Sequence, residues 1–337
     1  MEQAAFTPLP PAAGAFCCRE LPCRGASIGH GEGQRPEAAL PAEGNIMADA
    51  ACVVGSATGF VDLGYGQTVF LGIVQGITEL VPVSSSAHMR IVPALLGWPD
   101  PGAAFSAAMQ MAALVGVVTY FWKDIRGLAS GSLAALKNRD FESFPFQLTL
   151  WIGISTLPLV VAGLALAHSL NSCGSPLRSI WAVGLACLVM GLLLAATEIL
   201  ARHRRALPSV RPLDLLLIGL AQAGALIPGV SRSGATLTAA LSLGFKREEA
   251  ARISFLLGLP AIALAGIKEL WELHKLSLDG HGWSLLAVGL LAGGISSLIA
   301  IWGLMRFLER FSTWPFVIYR ILLGLALIGA AATGLIA

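Results

Sequence analysis

The fold class this sequence predicts is an all-α polytopic membrane protein, and three observations predict it. Of its 337 residues, 55% are hydrophobic and only 12% charged, against roughly 25% charged in a soluble domain. From Gly66 onward the apolar runs come in lengths near the ~20 residues that cross a bilayer as a helix. The basic residues gather in alternate connecting loops, as they do in multi-pass chains.

Residues 1–65 stand apart from this pattern. They are rich in Pro, Gly, Ala and charge and show no periodic apolar face, so they are expected to be a disordered or non-native N-terminal extension. They also lack the apolar core of a signal peptide, and Met47 offers an alternative start. Six full spans follow at about 104–122, 147–169, 179–201, 252–271, 284–305 and 316–336. Trp122, Trp151, Trp181, Trp271, Trp283 and Trp314 lie near their ends, where interfacial anchors sit. Two further apolar segments, about 67–97 and 213–245, are interrupted midway by Pro, Gly and Ser and cannot continue as one helix.

Lys123, Arg126, Lys137 and Arg139 follow the first full span, Arg202, Arg204, Arg205 and Arg211 the third, and Arg306 and Arg310 the fifth. The loops 170–178 and 272–283 hold only Arg178 and Lys275 as basic residues. Placing the three basic loops in the cytoplasm lets every span alternate only if 213–245 enters and leaves on one side. Both interrupted segments are therefore expected to be re-entrant helical hairpins.

The hairpins also resemble each other. "GIVQGITELVPVSSSAHM" starts at Gly72 and "GLAQAGALIPGVSRSGAT" at Gly219; a constant offset of 147 pairs Gln75 with Gln222, Ser84 with Ser231, Ser86 with Ser233 and Gly97 with Gly244. Since the spans after the two hairpins run in opposite directions, the chain is expected to be an inverted-topology repeat. Repeat 1 covers about 66–201 and repeat 2 about 213–337, with a ligand site where the broken helices meet near mid-membrane.

Glu79, His88 and Arg232 are ionisable residues inside these hairpins, where charge is costly and usually functional. In "PGVSRSGAT", Arg232 stands among Ser231, Ser233, Thr236 and backbone freed at Gly229, a set of donors suited to phosphate. Gln75 and Glu79, four residues apart, share a helical face and offer oxygens to a hard divalent cation. His88 follows Ser85 by three residues and is a candidate base on a hydroxyl or acid to a leaving phosphate. Arginine, carboxylate, metal, hydroxyl and imidazole together point to phosphoryl transfer, on a substrate with a hydrocarbon tail because the cleft lies in lipid.

"QGITELVPVSSSAH" and "PGVSRSGAT" resemble the two signatures of the undecaprenyl-diphosphate phosphatase family, the integral-membrane bacitracin-resistance type. The resemblance covers about residues 66–337. It implies hydrolysis of undecaprenyl diphosphate to undecaprenyl phosphate, recycling the lipid carrier of cell-wall synthesis and conferring bacitracin resistance. It further implies a divalent metal (Mg²⁺, with Ca²⁺ as the alternative), a homodimer, and a bacterial inner-membrane location with the site open to the periplasmic face. By motif position, Glu79 and Gln75 correspond to the metal or acid–base pair, Ser85 to the nucleophile with His88 as its partner, and Arg232 to the phosphate clamp. Ser84, Ser86, Ser231, Ser233, Thr236 and Gly229 correspond to its surroundings. The first motif position is Gln75 rather than a second carboxylate, and an activated water stands as the alternative attacking group to Ser85.

The rival reading is an inverted-repeat transporter or flippase of a phosphorylated polyprenyl lipid, in which the same residues bind and no bond breaks. The remaining polar features are read as structural. Arg202, His203, Arg204 and Arg205 are a topology determinant, and His168, His203, His274 and His281 are solvated or interfacial. Gly289 and Gly293 form a helix-packing GxxxG, serving either the bundle or a dimer. Glu198 and Asp214 flank spans, and six scattered cysteines show no zinc spacing. No basic cluster is long enough to suggest nucleic acid.

Overall fold

The computed structural model describes residues 59–171, 176–275 and 278–333. The described chain is helical: α1 (Tyr65–Leu80), α2 (Ser85–Leu96), α3 (Ala103–Tyr120), α4 (Trp122–Asn138), α5 (Phe144–Asn171), α6 (Ile180–Leu200), α7 (Pro212–Ala223), α8 (Arg232–Ser242), α9 (Arg247–Lys275), α10 (Gly280–Arg310) and α11 (Trp314–Ala332). Among the described residues there is no strand, only an isolated bridge between Arg205 and Phe245. Five of these helices, α5, α6, α9, α10 and α11, are long and apolar enough to cross a membrane. Their large outward side chains, Leu164, Leu200 and Leu291 among them, are exposed, as lipid-facing positions should be.

The first expected span, 104–122, corresponds to α3 (Ala103–Tyr120), but the stretch after it differs from its expectation. α3 ends at Tyr120, and the chain bends by 76° into α4, so the stretch 123–139, expected as a loop, is a helix. Ile125 and Leu128 pack against the core while Lys123, Arg126 and Lys137 stay exposed. A charged amphipathic stretch keeps its helix propensity, and basic residues alone do not mark a loop. The helix stops at Arg139 in the left-handed conformation, φ 58°.

The expected N-terminal extension is largely outside the described residues, which begin at 59. Its last part, 59–65, instead belongs to the packed body. Gly59–Asp62 form a 3₁₀ turn, Phe60 stacks on Phe105 at 5.0 Å, and Phe60 and Leu63 are buried. A single turn is too short to show periodicity, so the sequence does not reveal it.

Two helix pairs are broken where Pro and Gly interrupt the apolar run. α1 stops at Leu80, Val81 is extended and Pro82 follows; Ser84 then takes φ 76° before α2 begins. α7 passes into a 3₁₀ turn at Gly224–Leu226, Gly229 takes φ 96° and Ser231 φ 68°, and α8 begins at Arg232. Positive φ in a serine is strained. Ser231 is held by its own side chain, which accepts a bond from Gly234 N at 3.2 Å. The second arms end alike, with Gly97 at φ 64° and Gly244 at φ 85°.

α1 lies against α10, α7 against α5, α6 against α11, and α3 between α9 and α10. Two close approaches set this packing. A Cβ on Gly72 would sit 2.5 Å from the Gly289 carbonyl oxygen, and one on Gly219 would sit 2.1 Å from that of Ser155. The GxxxG pair Gly289 and Gly293 thus packs within the bundle, against α1 and α3. α9 is the most enclosed of the five long apolar helices; its Ala250, Ile253, Leu256 and Leu257 lie in the largest apolar cluster.

Candidate active site

The two breaks meet, and the polar residues of both broken helix pairs meet there. Glu79 occupies the last turn of α1, one turn beyond Gln75, so both side chains project from the same face. Glu79 is 6% exposed, and both carboxylate oxygens are engaged. Oε2 accepts from Gln75 Nε2 at 3.0 Å and from Ser85 Oγ at 2.6 Å. Oε1 accepts from Arg232 Nη2 at 2.9 Å. A carboxylate this far from water requires such compensation.

Arg232 is the first residue of α8, a position set by the break before it. Its Nη1 donates to the carbonyl of Gly258 on α9 at 2.9 Å, close to Pro260 in the same helix. The guanidinium is therefore held between α1 and α9, where its planar fork can present two parallel donors to a phosphate. Thr236, one turn on, donates to Arg232 O at 2.8 Å and contacts Ser254 Oγ at 2.5 Å, tying the start of α8 to α9.

The serines divide by partner. Ser85 bonds Glu79. Ser84 and Ser86 hydroxyls lie 3.2 Å apart, and Gly229 N donates to Ser86 Oγ at 3.2 Å, joining the two breaks. Ser231 and Ser233 lie 3.3 Å apart, and Ser233 Oγ donates to Glu79 O at 3.0 Å. Ser84 and Ser233 are buried, and Ser86 is exposed.

His88 does not pair with Ser85, although the spacing of the two suggests it. Its Nδ1 lies 2.7 Å from Ser84 O, and its Nε2 lies 2.6 Å from the Tyr319 hydroxyl. A three-residue separation brings side chains onto one helical face, but Ser85 begins the helix and turns across the break toward Glu79.

Arg320 joins the site without having been among the residues expected there. Fully buried in α11, it donates from Nη1 to Pro82 O at 3.2 Å and from Nη2 to Gly229 O and Val230 O at 2.8 and 2.9 Å. Pro82 and Gly229 stand 147 positions apart, so one guanidinium satisfies carbonyls freed at both breaks. A single arginine within the apolar run "FVIYRILLGLA" is the signal that could have found it. Tyr319, Ser254 and Gly258 carry no comparable signal.

Polar residues outside the site pair with one another. Arg247 ion-pairs with Glu198, which also accepts from Thr313 Oγ1 at 2.7 Å. Arg205 ion-pairs with Asp214. Cys187 is buried and free, 3.5 Å from Gly229 O. Cys17, Cys18, Cys23, Cys52 and Cys173 lie outside the described residues.

The match that decides the family spans residues 68–326, which fit the model of the bacitracin resistance protein BacA. The chain belongs to the BacA family. It is a multi-pass membrane protein of that family, and its relatives align over most of its length. The undecaprenyl-diphosphatase 2 of Mesorhizobium japonicum is 65% identical over 264 residues, 78% of this chain and all of the relative. The undecaprenyl-diphosphatase of Synechococcus elongatus is 47% identical over 269 residues, 80% of this chain and 93% of the relative. That of Gloeobacter violaceus is 47% identical over 274 residues, 81% of this chain and 94% of the relative. The matched BacA region contains every residue of the site above.

Proposed function

We propose that the chain hydrolyses undecaprenyl diphosphate to undecaprenyl phosphate and inorganic phosphate, returning a lipid carrier to cell-wall synthesis and conferring bacitracin resistance. The observation that carries this reading is the chain of bonds Ser85–Glu79–Arg232, which sets a hydroxyl, a base and a phosphate-binding guanidinium side by side. The names of the relatives favour hydrolysis over a carrier, and a carrier needs no hydroxyl bonded to a carboxylate.

Arg232 exchanges its bond to Glu79 for the diphosphate oxygens, which frees Glu79 to act as base. Glu79 Oε2 takes the Ser85 proton as Ser85 Oγ attacks the terminal phosphorus and undecaprenyl phosphate leaves. A water held in the same place is the alternative nucleophile, with Glu79 taking its proton. Ser84, Ser86, Ser231, Ser233, Thr236 and Gly229 keep the breaks and their donors in position, and His88 serves as the second acid–base group. Positioning and charge neutralisation carry most of such a reaction.

The residues fit a divalent cation of the Mg²⁺ kind that takes most of its ligands from the substrate. Among the described residues no three His, Cys, Asp or Glu side chains cluster as a metal site. Gln75 Oε1, however, is buried without a hydrogen-bond partner beside the Glu79 carboxylate. Glu79 and Gln75 would hold the ion, which when bound neutralises diphosphate charge. The test is phosphate release by Glu79→Ala across a Mg²⁺ titration: no activity at any concentration is expected, and wild-type activity would remove Glu79 from the site.

The reading includes an inverted-topology repeat with two re-entrant hairpins. Its support is the offset of 147, at which Ser84 and Ser231 share positive φ, as do Gly97 and Gly244. Exchanging the halves also maps the packing of α1 on α10 onto that of α7 on α5. With basic loops inside, the site opens to the periplasmic face of the bacterial inner membrane. The working form in this reading is a homodimer.

A further inference from the structure

The two partners of His88 are chemically unequal. Ser84 O, 2.7 Å from Nδ1, only accepts, so Nδ1 carries the proton of the neutral ring. Nε2 is then the acceptor, and the Tyr319 hydroxyl at 2.6 Å donates to it. The rings stack at 5.7 Å with 11° between their planes, which fixes this geometry. A phenol oxygen accepts while it donates, and Tyr319 is 43% exposed. The basic nitrogen of His88 is thus capped, and its open end is the tyrosine oxygen. Ser85, three residues before it, is engaged by Glu79 instead.

We infer that Tyr319 is a further catalytic residue, passing a proton between the attacking water and His88 Nε2. The inference rests on the hydrolase reading and gives His88 its route to the chemistry. When water attacks the phosphorylated Ser85, its oxygen–phosphorus bond forms as the Ser85 Oγ–phosphorus bond breaks. The water proton goes to the Tyr319 oxygen while the Tyr319 proton moves to Nε2, leaving an imidazolium whose Nδ1–H stays on Ser84 O. Glu79 returns to Ser85 Oγ the proton it took in the first step. The reverse relay then delivers the His88 proton to the departing phosphate, restoring every group. If water attacks the substrate directly, its oxygen–phosphorus bond forms as the bridging oxygen–phosphorus bond breaks, one water proton passes through Tyr319 to Nε2, and the reverse relay returns it to the departing phosphate.

The test uses the full chain in detergent with undecaprenyl diphosphate, comparing wild type, Tyr319→Phe, His88→Ala and the double variant. Tyr319→Phe should lower kcat by about 100-fold, the lower end of general acid–base contributions, with KM and melting temperature near wild type. The double variant should be no slower than the slower single one, since both remove one relay. A nitrogen spectrum of His88, assigned with the alanine variant, should show a protonated Nδ1 and a bare Nε2. The relay is overturned by a Tyr319→Phe kcat within twofold of wild type, by losses that multiply, or by a ring protonated at Nε2. No release by wild type would sink the hydrolase reading and the relay with it, whereas an active wild type beside an unimpaired Tyr319→Phe sinks the relay alone.

Discussion

Arg232→Ala separates what the arginine does for the fold from what it does for the reaction. In the resting protein Arg232 balances Glu79 at 2.9 Å, with the two side chains 15% and 6% exposed. Removing one partner of a buried pair leaves a lone charge and costs about 3–5 kcal/mol. The reaction loses a guanidinium on the transferring phosphate, an effect on the order of 10³–10⁵ in rate for comparable arginines, or ~4–7 kcal/mol of barrier. A second variant distinguishes the two losses. Arg232→Met combined with Glu79→Gln leaves no lone charge and should recover most of the stability while remaining inactive. The assay is phosphate release together with a melting temperature in the same detergent. Arg232→Ala turnover within tenfold of wild type would refute the clamp. A double variant no more stable than the single one would refute the charge argument.

Ser85→Ala should lose most of the rate and Ser86→Ala less, because of the two only Ser85 is bonded to Glu79; the reverse ranking in initial-rate measurements would reassign the nucleophile. Arg320→Met should lower the melting temperature markedly, since it strips the buried Pro82 and Gly229 carbonyls and the part-buried Val230 carbonyl of their donor, at ~1–3 kcal/mol for each buried group left unsatisfied. A melting curve like that of wild type would mean that the breaks hold without it. Gly219→Ala should destabilise by about 1–3 kcal/mol through overpacking, because its Cβ meets Ser155 backbone at 2.1 Å, whereas Gly66→Ala meets nothing within 4 Å and should be neutral. Equal melting temperatures for the two would contradict the packing of α7 on α5.

The spans and the meeting of Glu79 with Arg232 are legible in the sequence because the cost of charge and broken backbone in lipid leaves few reasons for such residues. The 153 positions that separate the two are bridged because the break after α1 lies against the break before α8. Ser85 shows where local spacing fails. Its helical phase pairs it with His88, but the break turns it back to Glu79, a tertiary effect outside the reach of periodicity. Arg320 is legible in principle and hidden by its setting, at the start of a long apolar span where basic residues are read as interfacial. Tyr319 is not legible: its role depends on α11 lying beside α2, and no pattern within either helix announces that contact. α4 is obscured when positive charge is equated with loop.

The central claim is tested most directly by phosphate release from undecaprenyl diphosphate by the purified protein, with and without EDTA. The account predicts release of inorganic phosphate and undecaprenyl phosphate, abolished by EDTA and restored by Mg²⁺. Well-folded protein that binds the lipid and leaves its diphosphate intact would contradict it.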